Sequence, residues 1–382
     1  MVIDFGDTNL VICLHKEDQI EFICDSGDSY KYPSLVGYNG GIACVGTSAK
    51  RKRLYGRDGY YVSHVKKLLG LTWEEYKDIF GKDIFGVEVV CGRDEYPRLV
   101  VSDKGRWVTC VEVAYEIFRT IKEKADIYSS TVKDCYILVP ANYKDSQREA
   151  MKEAAEAAGL QVKSFILKPV AVAMSWYYSN ESELTRNDIV LVFDFGKSSL
   201  DISLLKYDGN GSFSVIDTDG DPTMGGDDVD YEIAKKVCKK VEYAKGSPFN
   251  PLKTKRRYRF LTVCEQAKID LSVQSGPVDI NVSNFDPDIE EEIEITQSEF
   301  NLIMKPFVDK IDGCIDRMMN QPDRSCEMIK EVIIVGRSFH LVDVMSTLRN
   351  RFTNATFPEI DSESVTKNTL VLSHISKLSM GY

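Results

Sequence analysis

The stretch Val2-Ile3-Asp4-Phe5-Gly6-Asp7-Thr8-Asn9 recurs in altered form, about half the chain later, as Leu191-Val192-Phe193-Asp194-Phe195-Gly196-Lys197-Ser198-Ser199. Each copy is an apolar run that ends in Asp-Phe-Gly and is followed by small polar residues and a second apolar run. This pattern predicts a β-hairpin whose tight turn is permitted by glycine. The backbone N–H groups of such a turn can bind a phosphate, and the aspartate can hold a hydrated Mg²⁺ ion beside it. The repeat therefore predicts two related lobes that face one ligand.

The tripeptide Asp-Phe-Gly is also a feature of protein kinases. Kinases carry it together with a His-Arg-Asp catalytic loop and a Val-Ala-Ile-Lys strand. Neither motif is present in this sequence. The matching context around both copies favours a duplicated unit over a chance match.

The composition is that of an ordinary globular protein of 382 residues, which is long enough for two or more domains. Its formal net charge of −11 argues against nucleic-acid binding. The ten cysteines are scattered without a Cys-x-x-Cys pair, which predicts free thiols in a reducing compartment. Neither a secretory signal nor an apolar run of membrane-spanning length is visible, so we expect a soluble, cytoplasmic protein that does not bind membranes.

Both halves of the chain show the same order of predicted elements. Residues 2–24 and 189–217 each show the pattern of a three-stranded β-meander. A short apolar strand, a polar loop and a helix follow later in each half. The strand and helix are predicted at residues 135–140 and 145–159 in the first half, and at 331–336 and 341–352 in the second.

Each half also carries its own insertion between the meander and the later strand. In the first half, helices are predicted at residues 60–71 and 112–125. The insertion of the second half, about residues 228–320, is predicted to contain helices at 228–244, 253–272 and 297–319 and strands at 279–282 and 290–295. The polar segment 179–187 separates the halves. We expect a first lobe of residues 1–182, with a C-terminal helix at 364–382 packing back on it, and a second lobe of residues 183–363.

The chain resembles the nucleotide-binding domain of the heat-shock protein 70 chaperones, within the wider actin and sugar-kinase superfamily. The resemblance runs along essentially the whole chain, and its motifs appear in the family's order. The motifs that carry it are Ile3-Asp4-Phe5-Gly6, Leu138-Val139-Pro140-Ala141-Asn142-Tyr143-Lys144-Asp145-Ser146-Gln147-Arg148, Phe193-Asp194-Phe195-Gly196, Gly225-Gly226-Asp227, Cys264-Glu265-Gln266-Ala267-Lys268 and Val335-Gly336.

The resemblance implies an α/β, two-lobed, actin-like ATPase fold, with duplicated ribonuclease-H-like lobes around a central nucleotide cleft. ATP or ADP would lie at the base of the cleft, where each hairpin loop holds phosphate. Asp4 and Asp194 match the family's magnesium-site aspartates, so Mg²⁺ is the implied metal. Lys66 matches the lysine that orients the attacking water and the terminal phosphate. The implied catalytic positions are Lys66, Asp194 and Lys168.

The implied nucleotide-binding residues lie in separate segments along the chain. The two hairpin loops and a glycine loop would approach the phosphates and ribose, a helix face would meet the ribose and base, and a last loop would meet the base. These residues are Gly6, Asp7, Thr8, Asn9; Gly196, Lys197, Ser198, Ser199, Gly225, Gly226, Asp227; Glu265, Lys268, Ser272; and Gly336, Arg337, Ser338, His340.

Several of these positions depart from the family's pattern. Asp7 stands where the family has threonine, and Lys197-Ser198-Ser199 follows Gly196 where the family has Gly-Gly-Thr. Lys168 replaces the glutamate of the family's Asn-Glu-Pro motif, so we expect its ammonium group to pair with Asp7 or Asp4 and to displace Mg²⁺ and its waters. Ile269 and His340 match the two arginines that clamp the base, which removes cation–π contacts. Arg337 would reach a phosphate or fill the cleft.

Three functions remain open on these grounds. The altered positions favour a nucleotide-binding relative of the chaperones in which hydrolysis is weak or lost and the role is regulatory, with co-chaperones or other chaperones as partners in the stress response. The first alternative is an active ATP-hydrolysing chaperone motor. The second is a small-molecule kinase of the same superfamily. The sequence ends at Tyr382 without a recognisable linker or β-rich domain, so we expect peptide binding to lie outside it.

Overall fold

The computed structural model describes residues 1–16, 19–25, 29–80, 84–129, 132–180, 183–285, 292–336 and 341–374. Arg337, Ser338, His340 and residues 375–382 of the expected C-terminal helix lie outside this description. The helices are α1 (Thr47–Leu54), α2 (Trp73–Ile79), α3 (Cys110–Tyr128), α4 (Asp145–Ala157), α5 (Lys168–Ser179), α6 (Gly226–Lys245), α7 (Arg257–Val273), α8 (Gln297–Met319), α9 (Val342–Arg351) and α10 (Ser362–His374). Short 3₁₀ turns occur at Val65–Lys67, Pro251–Lys253 and Cys326–Met328.

The first large sheet contains the first predicted meander. Its strands are β1 (Val2–Phe5), β2 (Asn9–Lys16), β3 (Gln19–Phe22), β4 (Tyr32–Pro33), β11 (Asp134–Val139) and β12 (Gln161–Leu167). They lie in the order β12-β11-β1-β2-β3, with β4 paired to β2. The meander strands are antiparallel, whereas β1, β11 and β12 run parallel. Parallel pairing requires the crossover that α3 and α4 supply.

The second large sheet repeats this arrangement. Its strands are β13 (Ile189–Phe195), β14 (Leu200–Gly209), β15 (Ser212–Asp221) and β18 (Ile329–Gly336), in the order β15-β14-β13-β18. The meander strands are again antiparallel, and β13 and β18 are parallel. The sequence of strands β3-β2-β1-β11 in the first sheet thus has a counterpart of the same order and direction in the second.

The insertions form smaller sheets. Three antiparallel strands, β5 (Leu35–Asn39), β6 (Ile42–Val45) and β7 (Tyr60–Ser63), pair in one, and β8 (Val89–Cys91), β9 (Pro97–Val100) and β10 (Trp107–Thr109) in another. A hairpin of β16 (Val278–Asn281) and β17 (Glu292–Ile295) belongs to the second insertion. The helix predicted over residues 60–71 is wrong, because this segment is strand β7 followed by a 3₁₀ turn. Its aromatic and β-branched residues Tyr60, Tyr61 and Val62 favour a strand.

Capping residues mark several helix starts. Thr72, Thr109 and Thr296 each accept a hydrogen bond from the backbone of a glutamate three residues later, and that glutamate side chain bonds back to the threonine N–H. Such Thr-x-x-Glu capping boxes satisfy N–H groups that a helix start leaves unpaired. None of the described helices combines the length and apolar character needed to cross a bilayer.

Apolar contacts join the two large sheets. One cluster contains Val2 and Leu138 of the first sheet and Val190 and Val192 of the second, together with residues of α5 and α10. Helix α10 packs against β1, β2 and α5. Because α5 starts directly after β12 and lies between the sheets, its first residue is brought to the place where β1 and β13 end.

Candidate functional site

The two Asp-Phe-Gly loops lie against each other. The Ser198 hydroxyl of the second loop donates a 3.1 Å hydrogen bond to Oδ2 of Asp7 in the first. Burial alone would raise the pKa of Asp7, but the ammonium groups of Lys67 and Lys66 outweigh burial and hold that pKa below its usual value. A charged carboxylate from the chain itself therefore lies between the loops.

Lys67 links the two halves of the chain at this point. Its Nζ atom lies 3.8 Å from Oδ2 of Asp7 and donates a 2.6 Å hydrogen bond to the Ser198 carbonyl oxygen. It also donates to the carbonyl oxygen of Pro222. Lys67 was not predicted from the sequence, because the family match falls on its neighbour Lys66.

Lys66 is buried, with 7% of its surface exposed. Its carbonyl oxygen accepts a 3.2 Å hydrogen bond from the Tyr143 hydroxyl. Both lysines lie in the 3₁₀ turn that replaces the predicted helix, and consecutive residues of so tight a turn point in different directions. The catalytic role of Lys66 stays a prediction.

The ammonium group of Lys168 lies between the two strand-end aspartates. Its Nζ atom is 2.8 Å from Oδ2 of Asp194 and 3.7 Å from Oδ2 of Asp4. Burial alone would lower the pKa of Lys168, but the carboxylates of Asp194 and Asp4 outweigh burial and raise it well above the usual value. The expected pairing with Asp4 is present, whereas the alternative pairing with Asp7 is wrong, because Asp7 is engaged by Lys67 and Ser198.

Asp201 is a further acidic residue that the sequence analysis missed. It lies directly opposite Asp194 across the β13–β14 pair and accepts a 3.1 Å hydrogen bond from the Ser199 hydroxyl. Burial raises its pKa, and the Asp194 charge raises it further, while Lys66 and Lys168 act in the opposite sense. The available signal was a charged residue between the apolar residues Leu200 and Ile202 at the start of strand β14. We call Asp4, Asp7, Asp194, Asp201, Lys66, Lys67 and Lys168 the acid–lysine cluster.

Both loops present backbone N–H groups that suit an anion. Within the described residues, the N–H groups of Asp7 and Thr8 in the first loop, and of Lys197 and Ser198 in the second, donate no hydrogen bond. The first turn requires glycine, because a Cβ atom on Gly6 would lie 2.2 Å from the carbonyl oxygen of Asn9. Successive unpaired N–H groups form a concave site for an anion. The loops therefore fit the phosphates of a nucleotide.

The Gly225-Gly226-Asp227 loop packs on the second hairpin. The N–H of Gly226 donates to the Gly196 carbonyl oxygen at 3.1 Å, and that of Asp227 donates to the Lys197 carbonyl oxygen at 2.7 Å. A Cβ atom on Gly225 would lie 2.4 Å from the backbone nitrogen of Ser198, so this approach needs glycine. The start of α6 thus holds the second loop in place.

Two residues on the predicted face of helix α7 form ion pairs, one with the second loop and one with helix α6. Glu265 accepts a 2.7 Å contact from Lys197, and Lys268 lies 2.7 Å from Asp230 and donates to the Gly226 carbonyl oxygen at 2.9 Å. Burial raises the pKa of Asp230 to about 7 despite its lysine partner. Asp230 was not predicted from the sequence.

The structure also describes three further positions that the family pattern singled out. The Ser272 hydroxyl donates to the carbonyl oxygen of Lys268 at 2.7 Å, and Ile269 is 47% exposed. Gly336 ends β18 opposite Phe195 and has a φ of 92°. A Cβ atom there would lie 2.5 Å from the Phe195 carbonyl oxygen, so the strand end admits only glycine without strain.

A cavity of about 580 Å³ opens beyond the tips of the two loops. Its walls include Thr8 and Lys197 from the loops, Arg53 from α1, and Tyr258 and Glu265 from α7. The Arg53 guanidinium carbon lies 4.1 Å from the centre of the Tyr258 ring. No residue of α1 was predicted from the sequence to line the site, because Arg53 belongs to a short basic run of the kind common on protein surfaces.

The arrangement does not suit a Mg²⁺ ion bound by Asp4 and Asp194. An ammonium group already lies between the two carboxylates, and a divalent ion would have to displace it. The described residues contain no group of three or more carboxylate, histidine or cysteine side chains that would hold a metal. The Oδ1 atom of Asp4 is buried without a hydrogen-bond partner among the described residues, so this aspartate retains one free acceptor.

Known proteins are similar to this chain over most of its length. The family model described as "Hsp70 protein" matches residues 1–375. The chaperone protein DnaK of Deinococcus radiodurans is 30% identical over 343 residues, covering 88% of this chain and 53% of the relative. The chaperone protein HscA of Buchnera aphidicola is 25% identical over 364 residues, covering 95% and 67%.

A DnaK chaperone of Thermus thermophilus is 28% identical over 355 residues, covering 91% of this chain and 56% of the relative. The chain thus spans about half the length of the DnaK relatives it matches. Its mixed α/β architecture fits the actin-like ATPase fold that the resemblance implied. From this match over nearly its whole length, the chain belongs to the Hsp70 protein family.

Proposed function

We propose that this chain is the adenine-nucleotide-binding domain of a divergent Hsp70-type chaperone, in which ATP hydrolysis is weak or lost. Its role would be regulatory, through co-chaperones or other chaperones in the cytoplasm. The relatives named chaperone protein DnaK and chaperone protein HscA support the chaperone part of this proposal. The position of the Lys168 ammonium group between Asp194 and Asp4 carries the proposal of weak hydrolysis.

The proposed architecture has two duplicated lobes with the nucleotide cleft between them. The first would comprise residues 1–182 with the C-terminal helix, and the second residues 183–363. The equal order and direction of the strands in the two large sheets support this division. The contact of the two hairpin loops supports a cleft at the ends of β1 and β13.

Weak hydrolysis follows from the charges at the cleft floor. Phosphoryl transfer depends on positioning the attacking water and on neutralising the phosphate charge as it develops. At position 168 the family has a carboxylate, and here an ammonium group occupies that position and pairs with the aspartates that would otherwise face a metal. Lysine cannot accept a proton from water while it is held protonated by two carboxylates.

Binding of adenine nucleotide is also expected to be weaker than in relatives with both base-clamping arginines. Ile269 replaces one of them and offers no cation to the base. Each lost cation–π contact costs about 1 kcal/mol. The unpaired N–H groups of both loops support retained phosphate binding.

Single-turnover hydrolysis of ATP with Mg²⁺ tests the proposal on the unmodified protein, Lys168→Glu, Asp7→Thr and the double variant. We expect nucleotide binding by calorimetry but negligible turnover in the unmodified protein, and a gain of turnover in Lys168→Glu. Because Lys168 and Asp7 have separate partners, the change in turnover caused by Asp7→Thr should be the same with and without Lys168→Glu. The matched control is Lys163→Glu, which makes the same charge change at a surface pair with Asp134.

Turnover by the unmodified protein at the rate of the Deinococcus DnaK nucleotide-binding domain, measured side by side, would show the proposal to be wrong. A gain that appears only in the double variant would instead show that the two positions act together.

A further inference from the structure

We propose that Asp7 is a built-in acidic ligand that selects against a terminal phosphate, so that the cleft takes adenosine diphosphate in preference to the triphosphate and without a divalent metal. This inference rests on the proposed function, since it presumes that adenine nucleotide binds between the loops. Beyond that function, it names the nucleotide that binds preferentially and the residue that sets this preference.

The contacts of Asp7 are those that a phosphate oxygen would make. Its Oδ2 atom accepts the Ser198 hydroxyl at 3.1 Å and lies 3.8 Å from Nζ of Lys67. Hydroxyl and ammonium groups are ordinary phosphate donors. Two donors of the cleft floor, one from each half of the chain, are thus already engaged by an internal anion.

The ammonium groups of Lys67 and Lys168 cannot turn to an additional phosphate without losing their present partners. Lys67 also donates to the carbonyl oxygens of Ser198 and Pro222. Lys168 is held by Asp194 at 2.8 Å and by Asp4 at 3.7 Å. A third phosphate would therefore bring more negative charge into the acid–lysine cluster, in which two of the three lysines are already paired with aspartates.

The cluster itself is rich in carboxylates. Its four aspartates face three lysines. Like charges that share one site repel each other strongly where water is excluded. The ligand with less negative charge is favoured at this floor, whereas the unpaired N–H groups of Thr8 and Lys197 remain available to its phosphates.

The test is calorimetry on the unmodified protein in EDTA, comparing ADP with the non-hydrolysable β,γ-imido analogue of ATP. We expect ADP to bind at least tenfold more tightly, and excess Mg²⁺ to change the ADP affinity less than threefold. This first comparison needs no variant. In Asp7→Asn, which keeps the shape but removes the charge, the preference should fall below threefold.

Asp145→Asn is the matched control, because it removes one carboxylate of 91% exposure on helix α4, outside the loops. It should keep the full preference. Equal or tighter binding of the imido analogue by the unmodified protein overturns the inference and leaves nucleotide binding intact. An unchanged preference in folded Asp7→Asn overturns the assignment to Asp7. If neither nucleotide binds at millimolar concentration, the proposed function fails and this inference with it.

Discussion

Lys168 and Asp194 form a 2.8 Å ion pair between the first residue of helix α5 and the end of strand β13. A helix start carries partial positive charge, so a cation there is disfavoured. The pair persists because Asp194 faces Asp201 across the β-ladder and both carboxylates lie near the same ammonium group. Lys168 thus stabilises a cluster of acids that would otherwise repel one another.

Removing this lysine is expected to destabilise the fold. Lys168→Met leaves Asp194 and Asp4 without their cation, and breaking such a buried pair costs about 3 kcal/mol. Urea unfolding measures the loss. In the variant, 10 mM Mg²⁺ should recover part of it, because the freed carboxylates then accept a metal, whereas Mg²⁺ should not stabilise the unmodified protein.

Lys163→Met is the control for this measurement. Lys163 pairs with Asp134 at the surface, where the side chains are 45% and 60% exposed, so its loss should cost less than about 1 kcal/mol. Equal losses in the two variants would contradict the assigned role of Lys168.

Double-mutant cycles should separate the two lysine pairs. Asp7→Asn with Lys67→Met should show a coupling energy of about 1–2 kcal/mol, because the two groups are in contact and their side chains are only 14% and 5% exposed. Asp7→Asn with Lys168→Met should be additive within about 0.5 kcal/mol, since the two have different partners. A larger coupling in the second cycle than in the first would contradict the described pairing. Urea unfolding of the single and double variants supplies both cycles.

A matched pair of glycines tests the strand end beside Asp194. Gly336 and Gly159 both have positive φ values, 92° and 85°. A Cβ atom on Gly159 meets nothing within 4 Å, whereas on Gly336 it meets the Phe195 carbonyl oxygen at 2.5 Å and Oδ1 of Asp194 at 3.2 Å. Gly159→Ala should cost about 1 kcal/mol. Gly336→Ala should cost about 3 kcal/mol by urea unfolding, because contact with the backbone adds to the strain.

His64 predicts a specific loss of stability in acid. Burial, and then the Lys67 charge, lowers its pKa from 6.5 to about 3. Between these values the unfolded chain binds a proton that the folded protein does not, so the free energy of unfolding falls as the pH falls below 6.5. From pH 6.5 to 5.5 the contribution is about 1 kcal/mol.

Urea unfolding across this range should show a shallower slope for His64→Asn than for the unmodified protein. Asparagine tolerates the left-handed backbone of this position, where φ is 57°. Identical slopes for His64→Asn and the unmodified protein would contradict the prediction.

Local patterns were sufficient to predict much of the fold. Both meanders are present, and the helices expected at residues 112–125, 145–159 and 297–319 begin and end within three residues of the expected bounds, because their periodicity and capping residues act locally. The segment 60–71 was misread as a helix. The spacing of its apolar residues is compatible with a helix and with a strand. The pairing of β7 with β5 selects the strand, and this pairing is a contact between residues distant in the sequence.

In the candidate site, too, the contacts between distant residues could not be predicted from local patterns. Asp4 and Asp194 stand out because they end apolar runs, whereas the family pattern left open whether Lys168 pairs with Asp4 or with Asp7. Which of Lys66 and Lys67 contacts Asp7 could not be predicted from the sequence. It depends on the direction in which the 3₁₀ turn orients each of two adjacent, identical side chains. Asp201 enters the cluster only through the register that places it opposite Asp194.

The contacts of Lys67 also bear on how fast a ligand can leave. Its ammonium group holds the carbonyl oxygens of Ser198 and Pro222, which belong to the other half of the chain. Any movement that parts the loops must first break both bonds, and this adds to the activation barrier for opening. A ligand held between the loops would then leave more slowly than it would without the Lys67 contacts.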